Sequence, residues 1–311
     1  MNEVVALVLN YNQAEATRRC VASLLRGTRV PDKVIVVDNG SDEHPGLSAD
    51  EWSSGVELLR ADANSGYAGG NNLGIRAALK VGAQFIWVLN NDTIVDPRCL
   101  ETLMREVNVG TDSEVYLTAV RDAGAESWWY RGGWVDARTG TVWHTPRHRV
   151  DADVVETEYI AGCSLLVPSS VFKRVGGFDE SLFLYCEDVD WSLRAIGNGV
   201  RALLVPNAIV DHIGGGSSRS GRKAQGARFY YNARNRLWLA RRGAYQLGPA
   251  LVATPRWLVR ELRSARRHNS PPPTFIIVRS LMRGIADGLR PRIPGAKPAD
   301  FGSDSADKTA R

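Results

Sequence analysis

Glu187, Asp188 and Asp190 place three acids within four positions, the densest acidic cluster of the chain, and Trp191 follows directly. Like charges this close push one carboxyl toward its protonated form, which suits a group that must take up or give a proton. A helix start also attracts acids through its dipole, but three exceed what capping needs. On a helix over Glu187–Ile196, Glu187 and Asp190 share a face while Asp188 is turned by about 100°. If the shared face anchors the helix, Asp188 is free to point into a crevice as a general base, with Glu187 as the alternative.

Asp38 ends an apolar run ahead of Asn39-Gly40-Ser41, where its carboxylate can accept hydrogen bonds from a nucleotide base or a ribose hydroxyl. An N-cap or turn aspartate is the plainer reading of Asp38 taken alone. Asp92 is the one acid of Leu89-Asn90-Asn91-Asp92-Thr93 and suits Mg²⁺ or Mn²⁺ holding a diphosphate. His212 can complete that coordination from the far side, although a lone histidine is more often a structural hydrogen bonder. Gly66, Gly69 and Gly70 let backbone approach a ligand closely and open a helix, whose first N–H groups favour phosphate. Their spacing lacks the leading G-x-G of a dinucleotide fingerprint, which disfavours a nicotinamide enzyme, and a Walker loop is absent. Together these groups meet the needs of sugar transfer from a nucleotide diphosphate: a nucleotide pocket, neutralisation of the departing diphosphate, and a base for the acceptor proton.

The elements that must position them follow from hydrophobic periodicity. Strands over Val4–Leu9, Val34–Val37, Val56–Leu59 and Phe85–Leu89 alternate with helices over Ala14–Arg26, Asn71–Val81 and Pro97–Val107, which predicts an α/β fold around a mainly parallel open sheet with flanking helices. Each strand runs into polar or glycine-rich sequence, so the candidate residues gather beyond the strands' carboxyl ends, where such sheets bind ligands. Residues 134–143 read as a hairpin turning near Thr139-Gly140. Its neighbours Trp128 and Trp129, with Trp134 and Trp143, either stack on sugar rings or pack on the core, and core packing is the commoner use. A second αβ portion comprises a strand over Tyr159–Val167, the helix carrying the acids, and a strand over Val200–Val205 leading to Asp211-His212. Gly214-Gly215-Gly216-Ser217-Ser218 reads as a hinge or lid.

Residues 1–218 hold 19 Lys/Arg against 29 Asp/Glu, whereas 219–292 hold 17 Lys/Arg against two acids, Glu261 and Asp287. Three segments follow: a catalytic domain over 1–218, a basic helical segment over 219–292, and a tail over 293–311 whose Pro, Gly, Ser, Asp and Lys predict disorder. The basic segment suits a polyanion, and the expectation is an anionic membrane surface, not nucleic acid. In it, Trp257-Leu258-Val259-Arg260 with Arg263, Arg266 and Arg267 mixes apolar and basic residues as interfacial helices do. No apolar run is long enough to span a bilayer and the first is too short for a secretory signal, so a cytoplasmic, peripheral location is expected. Cys20, Cys99, Cys163 and Cys186 sit singly and read as small buried hydrophobes.

The segments Asn10-Tyr11-Asn12, Val37-Asp38-Asn39-Gly40-Ser41, Asn64 through Asn72, Asn91-Asp92-Thr93, Gly176-Gly177-Phe178-Asp179-Glu180 and Glu187-Asp188-Val189-Asp190-Trp191 occur in the order found in family-2 glycosyltransferases of the GT-A fold. The chain resembles that family over roughly residues 4 to 240, most closely the rhamnosyltransferase-like branch that builds bacterial cell-surface glycans. The resemblance implies an inverting, single-displacement transfer from a dTDP- or UDP-linked sugar, rhamnose first, to a glycan or lipid-linked saccharide. It places Asn10, Asn12, Asp38, Asn64, Gly66, Tyr67, Asn72, Asn91 and Asp92 at the nucleotide sugar. Asp92 and His212 fall at the metal, the Glu187-Asp188 pair at the base, and Gly162, Asp190 and Trp191 on the acceptor side. The family's metal motif is often Asp-x-Asp; here its first position is Asn90, which makes the site less acidic. Arg228, Tyr231 and Arg234-Asn235 resemble the family's post-catalytic helix. Two other readings compete. Sugar-phosphate nucleotidyltransferases carry a basic glycine-rich loop after the first strand, where this chain has Asn10-Tyr11-Asn12-Gln13. A non-catalytic glycan- or nucleotide-binding module of the same fold predicts binding without turnover.

Overall fold

Every residue of Val4–Asn10 is buried, as a strand covered on both faces requires. The computed structural model of the chain describes residues 3–42, 46–52, 55–108, 111–123, 127–147, 152–213, 221–254, 257, 259 and 274–290. In chain order the first half runs β1 (Val4–Asn10), α1 (Ala14–Leu25), β2 (Lys33–Asp38), β3 (Val56–Arg60), α2 (Gly66–Lys80), β4 (Phe85–Asn90), β5 (Thr93–Val95), α3 (Cys99–Glu106) and β6 (Glu114–Asp122). The second half comprises β7 (Trp128–Tyr130), β8 (Trp134–Val135), β9 (Val142–Trp143), β10 (Val155–Thr157), β11 (Ser164–Pro168), α4 (Ser169–Val175), α5 (Glu187–Gly197), β12 (Arg201–His212), α6 (Gly221–Arg241) and α7 (Thr274–Gly288).

Ten strands form one mixed, mostly parallel sheet of order β10-β12-β6-β11-β4-β1-β2-β3, with β5 on β12 and β7 on β6. Strand alternation sends side chains to two cores. Val5, Leu7, Ile35 and Ile86 meet Ile75 of α2 and Trp191 of α5 on one face; Val4, Val8, Val36 and Trp87 meet Val21 of α1 and Leu103 of α3 on the other. The expected α/β architecture of a mainly parallel open sheet with flanking helices is the one observed. Cys20, Cys99 and Cys163 are buried in it and Cys186 is partly so; burial pushes the Cys20 thiol up to about 12, which keeps it unreactive.

Four local differences from the sequence reading have physical reasons. Helix α2 starts at Gly66, five residues before the expected Asn71. A Cβ on Gly70 or Gly74 would lie 2.5 Å and 2.0 Å from the side chains of Leu9 and Leu7, so glycine lets this helix sit directly on β1 despite its poor helical propensity. Strand β11 starts at Ser164, not Tyr159, because the preceding backbone bonds outside the ladder: the Ile160 N–H donates to Ser192 Oγ at 2.9 Å and the Gly162 carbonyl accepts from the Tyr67 hydroxyl at 2.6 Å. Strand β12 continues past Pro206 to His212 through a bulge, its pairing with β6 jumping from Val205↔Thr118 to Ile209↔Ala119, a place where proline is tolerated. Strand β6, which has no counterpart in the sequence reading, is buried from Glu114 to Val120 without alternation.

Residues 134–143 form the expected hairpin of β8 and β9. Trp134 stacks on Trp143 at 5.6 Å, Trp129 packs against the core, and Trp128 and Trp143 are partly exposed. Helices α6 and α7 pack on each other, and Cβ atoms on Gly284 and Gly288 would lie 2.4 Å and 2.6 Å from the carbonyl oxygens of Tyr230 and Arg234. The hinge Gly214–Ser218, the boundary at 218, Leu258, Arg260, Arg263, Arg266, Arg267 and the tail over 293–311 lie outside the described residues. Among those described, no helix is long and apolar enough to cross a membrane.

Candidate active site

The parallel register sets Asn10 beside Asp38 and Leu9 beside Asn90, so the ends of β1, β2 and β4 share one sheet edge. Asp38 is 2 % exposed. Its Oδ1 accepts from Asn10 Nδ2 at 3.1 Å and its Oδ2 pairs with the exposed Arg60 guanidinium at 3.2 Å. Asn10 is fully engaged: Nδ2 also reaches Ser41 Oγ at 3.2 Å, and Oδ1 accepts from the Thr17 hydroxyl at 2.9 Å. Asn10 therefore orients Asp38. Beside them, Asn39 Nδ2 donates to Asn64 Oδ1 at 3.1 Å and to the Gly66 carbonyl at 2.9 Å, fixing the mouth of α2. Asn12, at φ 51°, accepts the Asp42 N–H at 3.0 Å. A Cβ on Gly66 would lie 2.2 Å from the Phe183 carbonyl oxygen, so close backbone packing accounts for that glycine.

Asp92 follows β4, and the pairing of β5 with β12 sets His212 opposite Thr93. His212 Nε2 then stands 3.2 Å from Asp92 Oδ1, with side chains 11 % and 13 % exposed. The separation is close to the roughly 3 Å between adjacent ligands of an octahedral Mg²⁺. Among the described residues no group of three or more His, Cys, Asp and Glu converges. The buried Asn90 Oδ1, at the first position of the motif, has no hydrogen-bond partner. The pair thus fits a cation that takes its remaining ligands from diphosphate and water, as Mg²⁺ does. Asn91 Nδ2 ties the segment to Thr17 Oγ1 at 3.0 Å, and the Trp129 ring lies 5.4 Å from His212.

The approach to α5 is contorted. Phe183, Tyr185 and Cys186 all have φ near +65°, at 64°, 66° and 66°, a conformation that non-glycine residues keep only when their surroundings impose it. Helix α6 imposes it: Asn235 Nδ2 donates to the carbonyls of Leu182, Leu184 and Tyr185 at 2.8, 2.9 and 2.7 Å. Arg234 donates to the Ser181 and Leu182 carbonyls at 3.0 and 2.8 Å and, through Nε, to Asn235 Oδ1 at 2.7 Å. The loop delivers Glu187 and Asp188 at the helix start. Asp188 Oδ2 accepts from the Tyr159 hydroxyl and Oδ1 from the Val189 N–H at 2.8 Å. A Cβ on Gly162 would lie 3.2 Å from the Tyr67 hydroxyl and 3.4 Å from Asp188 Cβ, so these three residues adjoin.

Glu187 is 6 % exposed and its Oε2 has no hydrogen-bond partner. Burial first, then the neighbouring Asp188 and Asp190 charges, push its carboxyl well above the usual range. Asp188 is not unencumbered, since Tyr159 binds it. Burial, followed by the Asp188 charge, also raises the Tyr159 hydroxyl well above its usual range, keeping it a donor.

Three residues expected at the ligand also make contacts within the fold. Asp190 pairs with Arg194 at 2.8 Å, and Arg194 caps the Val175 and Gly177 carbonyls at 2.9 and 2.8 Å. Trp191 is fully buried against Phe172 and Phe178 and donates to the Gly176 carbonyl at 2.9 Å. Asn72 is spent on Phe178, donating to its carbonyl at 2.8 Å and accepting its N–H at 2.9 Å. Asp190, Trp191 and Asn72 therefore face the interior, because the helices bearing them turn these positions onto the core. Tyr159 and Arg60 were not singled out from the sequence; neither sits in a motif, and only their spatial neighbours reveal them.

The sheet and its polar edge make an α/β architecture of the GT-A type. The chain is similar in fold to the crystal structure of GalNAc-T7 with UDP, GalNAc and Mn²⁺, at TM-score 0.59 and 17 % identity, over 75 % of this chain and 50 % of that one. It is similar to S. aureus TarS 1–349 in complex with UDP-GlcNAc at TM-score 0.54 and 14 % identity, over 76 % of this chain and 66 % of that one. The model of Glycosyl transferase family 2 matches residues 6–168, and the chain belongs to that family. An N-acetylglucosaminyl-diphospho-decaprenol L-rhamnosyltransferase of Mycobacterium tuberculosis is 29 % identical over 238 residues, covering 68 % of this chain and 76 % of that protein.

Proposed function

We propose that this glycosyltransferase moves a hexose, rhamnose first, from a dTDP- or UDP-linked donor to a hydroxyl of a lipid-linked saccharide, with inversion, in bacterial cell-surface glycan assembly at the cytoplasmic face of the membrane. The observation that carries the reading is the pairing of Tyr159 with Asp188 beside Gly162 and Tyr67, at the start of α5. The rhamnosyl donor and lipid-linked acceptor are suggested by the mycobacterial relative, whose name specifies both a rhamnosyl group and a decaprenol-linked acceptor.

In this reading Asp38, oriented by Asn10, accepts hydrogen bonds from the nucleoside, and Asn12, Asn64, Gly66, Tyr67 and Asn91 line the way to the sugar. The acceptor oxygen attacks the anomeric carbon as the bond to the diphosphate breaks, and its proton passes to Asp188. One displacement on the face opposite the leaving group inverts that carbon. Asp92 and His212 would hold Mg²⁺ or Mn²⁺, which supplies positive charge to the departing diphosphate. The hydrogen bond from the Tyr159 hydroxyl orients the Asp188 carboxylate, which favours Asp188 over Glu187 as the base.

The test is single-turnover transfer from dTDP-rhamnose and from UDP-sugars to a short prenyl-diphosphate saccharide. Asp188→Asn should bind donor as the parent does and lose about 10² to 10⁴ in rate, while Glu187→Gln keeps most of it. Near-parental turnover by Asp188→Asn overturns the assignment. Binding without turnover in the parent chain, across donors, returns the molecule to a non-catalytic module.

A further inference from the structure

Helix α7 has a buried and an open side. Ile277, Ser280, Leu281, Gly284, Asp287 and Gly288 are buried, and the two glycines seat the helix tightly on α6. Opposite them Phe275, Val278 and Met282 are 68 %, 50 % and 60 % exposed, and Leu289 continues the stripe at 39 %. The spacing puts all four on one helical face. Arg279, Arg283 and Arg290 are exposed alongside. Asp287, the one acid of α7, is turned inward, where Tyr230 donates to it at 2.8 Å and Arg290 pairs with it at 2.9 Å. Arg283 also reaches Asp287, at 4.0 Å, and lies over the Tyr230 ring at 5.8 Å, so the open face carries large apolar side chains beside Arg279, with no carboxylate among them.

We propose that this face of α7 docks on an anionic lipid surface, Phe275, Val278, Met282 and Leu289 entering the headgroup boundary while Arg279 lies among lipid phosphates. Apolar insertion and electrostatic attraction are the two components by which interfacial helices bind. Charge selects lipid over a second copy of the chain: the α7 segment exposes Arg279, Arg283 and Arg290 while its one acid, Asp287, is buried, so two such faces repel each other. The docking deepens the lipid-linked acceptor reading and rests on it for its purpose. It also sets the active site's attitude to the membrane, because α7 is packed on α6 and α6 clamps the loop that leads to Asp188 through Arg234 and Asn235.

The experiment is co-sedimentation of the full chain with phosphatidylcholine vesicles, with and without phosphatidylglycerol, alongside Phe275→Ser/Met282→Ser and Arg279→Glu. The parent should bind the anionic vesicles at least about tenfold better than the neutral ones and lose binding as salt rises. The double serine variant should bind them about tenfold or more weakly, and Arg279→Glu several-fold more weakly, with unchanged melting temperatures. Equal binding to both vesicle types, or binding by the serine variant equal to the parent's, overturns the proposal. A parent dimer by light scattering that the serine variant dissolves assigns the face to self-association and overturns it too. Vesicle binding requires no turnover, so its failure leaves the transferase reading standing, and a dead enzyme that still binds vesicles fails that reading alone.

Discussion

The Tyr159 hydroxyl donates to the Asp188 carboxylate across 29 residues of sequence, joining the segment before β11 to the second residue of α5. Because burial and the adjacent Asp188 charge keep this phenol protonated, it remains a donor throughout the working pH range. Tyr159→Phe removes a hydrogen bond to a charged group, worth about 1.5–3 kcal/mol. The expected result is a fall in kcat of about tenfold to a hundredfold with donor affinity unchanged. Unaltered kcat in steady-state kinetics would detach Tyr159 from the base.

Glu187 gives a stability signature independent of activity. Its folded-state carboxyl titrates well above the ordinary 4.5 because it is buried and faces like charges. Folding therefore favours its protonated form: the contribution is complete below the ordinary carboxyl range and is lost as pH rises toward the folded value. Glu187→Gln, neutral at every pH, should gain on the parent progressively as pH climbs above about 4.5. Urea unfolding at several pH values measures the difference, and parallel curves would contradict the raised carboxyl.

Asp38 is buried against Asn10, so Asp38→Ala would remove a buried hydrogen-bond partner, open a cavity and confound binding with folding. Asp38→Asn keeps the shape and removes the charge. It should weaken nucleoside-diphosphate binding about tenfold or more in calorimetry, the scale of a charge-assisted hydrogen bond. Undiminished affinity would move the nucleotide elsewhere along the edge.

At Asp92 and His212 the expectation concerns cation binding itself. Mn²⁺ should raise the melting temperature further in the presence of UDP or dTDP than alone, because diphosphate supplies the ligands the pair lacks. Asp92→Asn should abolish the increment. An equal increment in that variant would place the cation on the nucleotide alone.

The parallel half of the sheet was legible because β1, β2, β3 and β4 are short apolar runs closed by polar residues, and Asp38 and Asp92 are marked by where those runs end. Strand β6 escaped because a strand covered on both faces has no alternation to read. The start of α2 escaped because Gly66, Gly70 and Gly74 speak for a loop locally, and only the side chains of Leu7 and Leu9 explain them. Acid clustering identified Glu187 and Asp188 but could not sort them: their difference lies in Tyr159, 29 residues from Asp188, and in Asn235, which grips the Tyr185 carbonyl 50 residues away. Helical geometry puts Glu187 and Asp190 on one face but says nothing about partners: Asp190 pairs with Arg194, whereas Glu187 Oε2 has no hydrogen-bond partner.

The bulge in β12 makes the cation pair depend on arithmetic. Between Val205 and Ile209 the strand advances four residues while β6 advances from Thr118 to Ala119, and only afterwards does β12 meet β5 with His212 opposite Thr93. Side chains in a strand alternate sides, so gaining or losing a single residue among Pro206, Asn207 and Ala208 reverses the parity of all that follows. The imidazole would then turn from Asp92 to the opposite side of the sheet, with both residues and every motif still in the sequence. A short segment far from any conserved-looking signature thus acts as a spacer gauge, and relatives of equal motif content but different length at this point would differ in whether histidine reaches the aspartate at all.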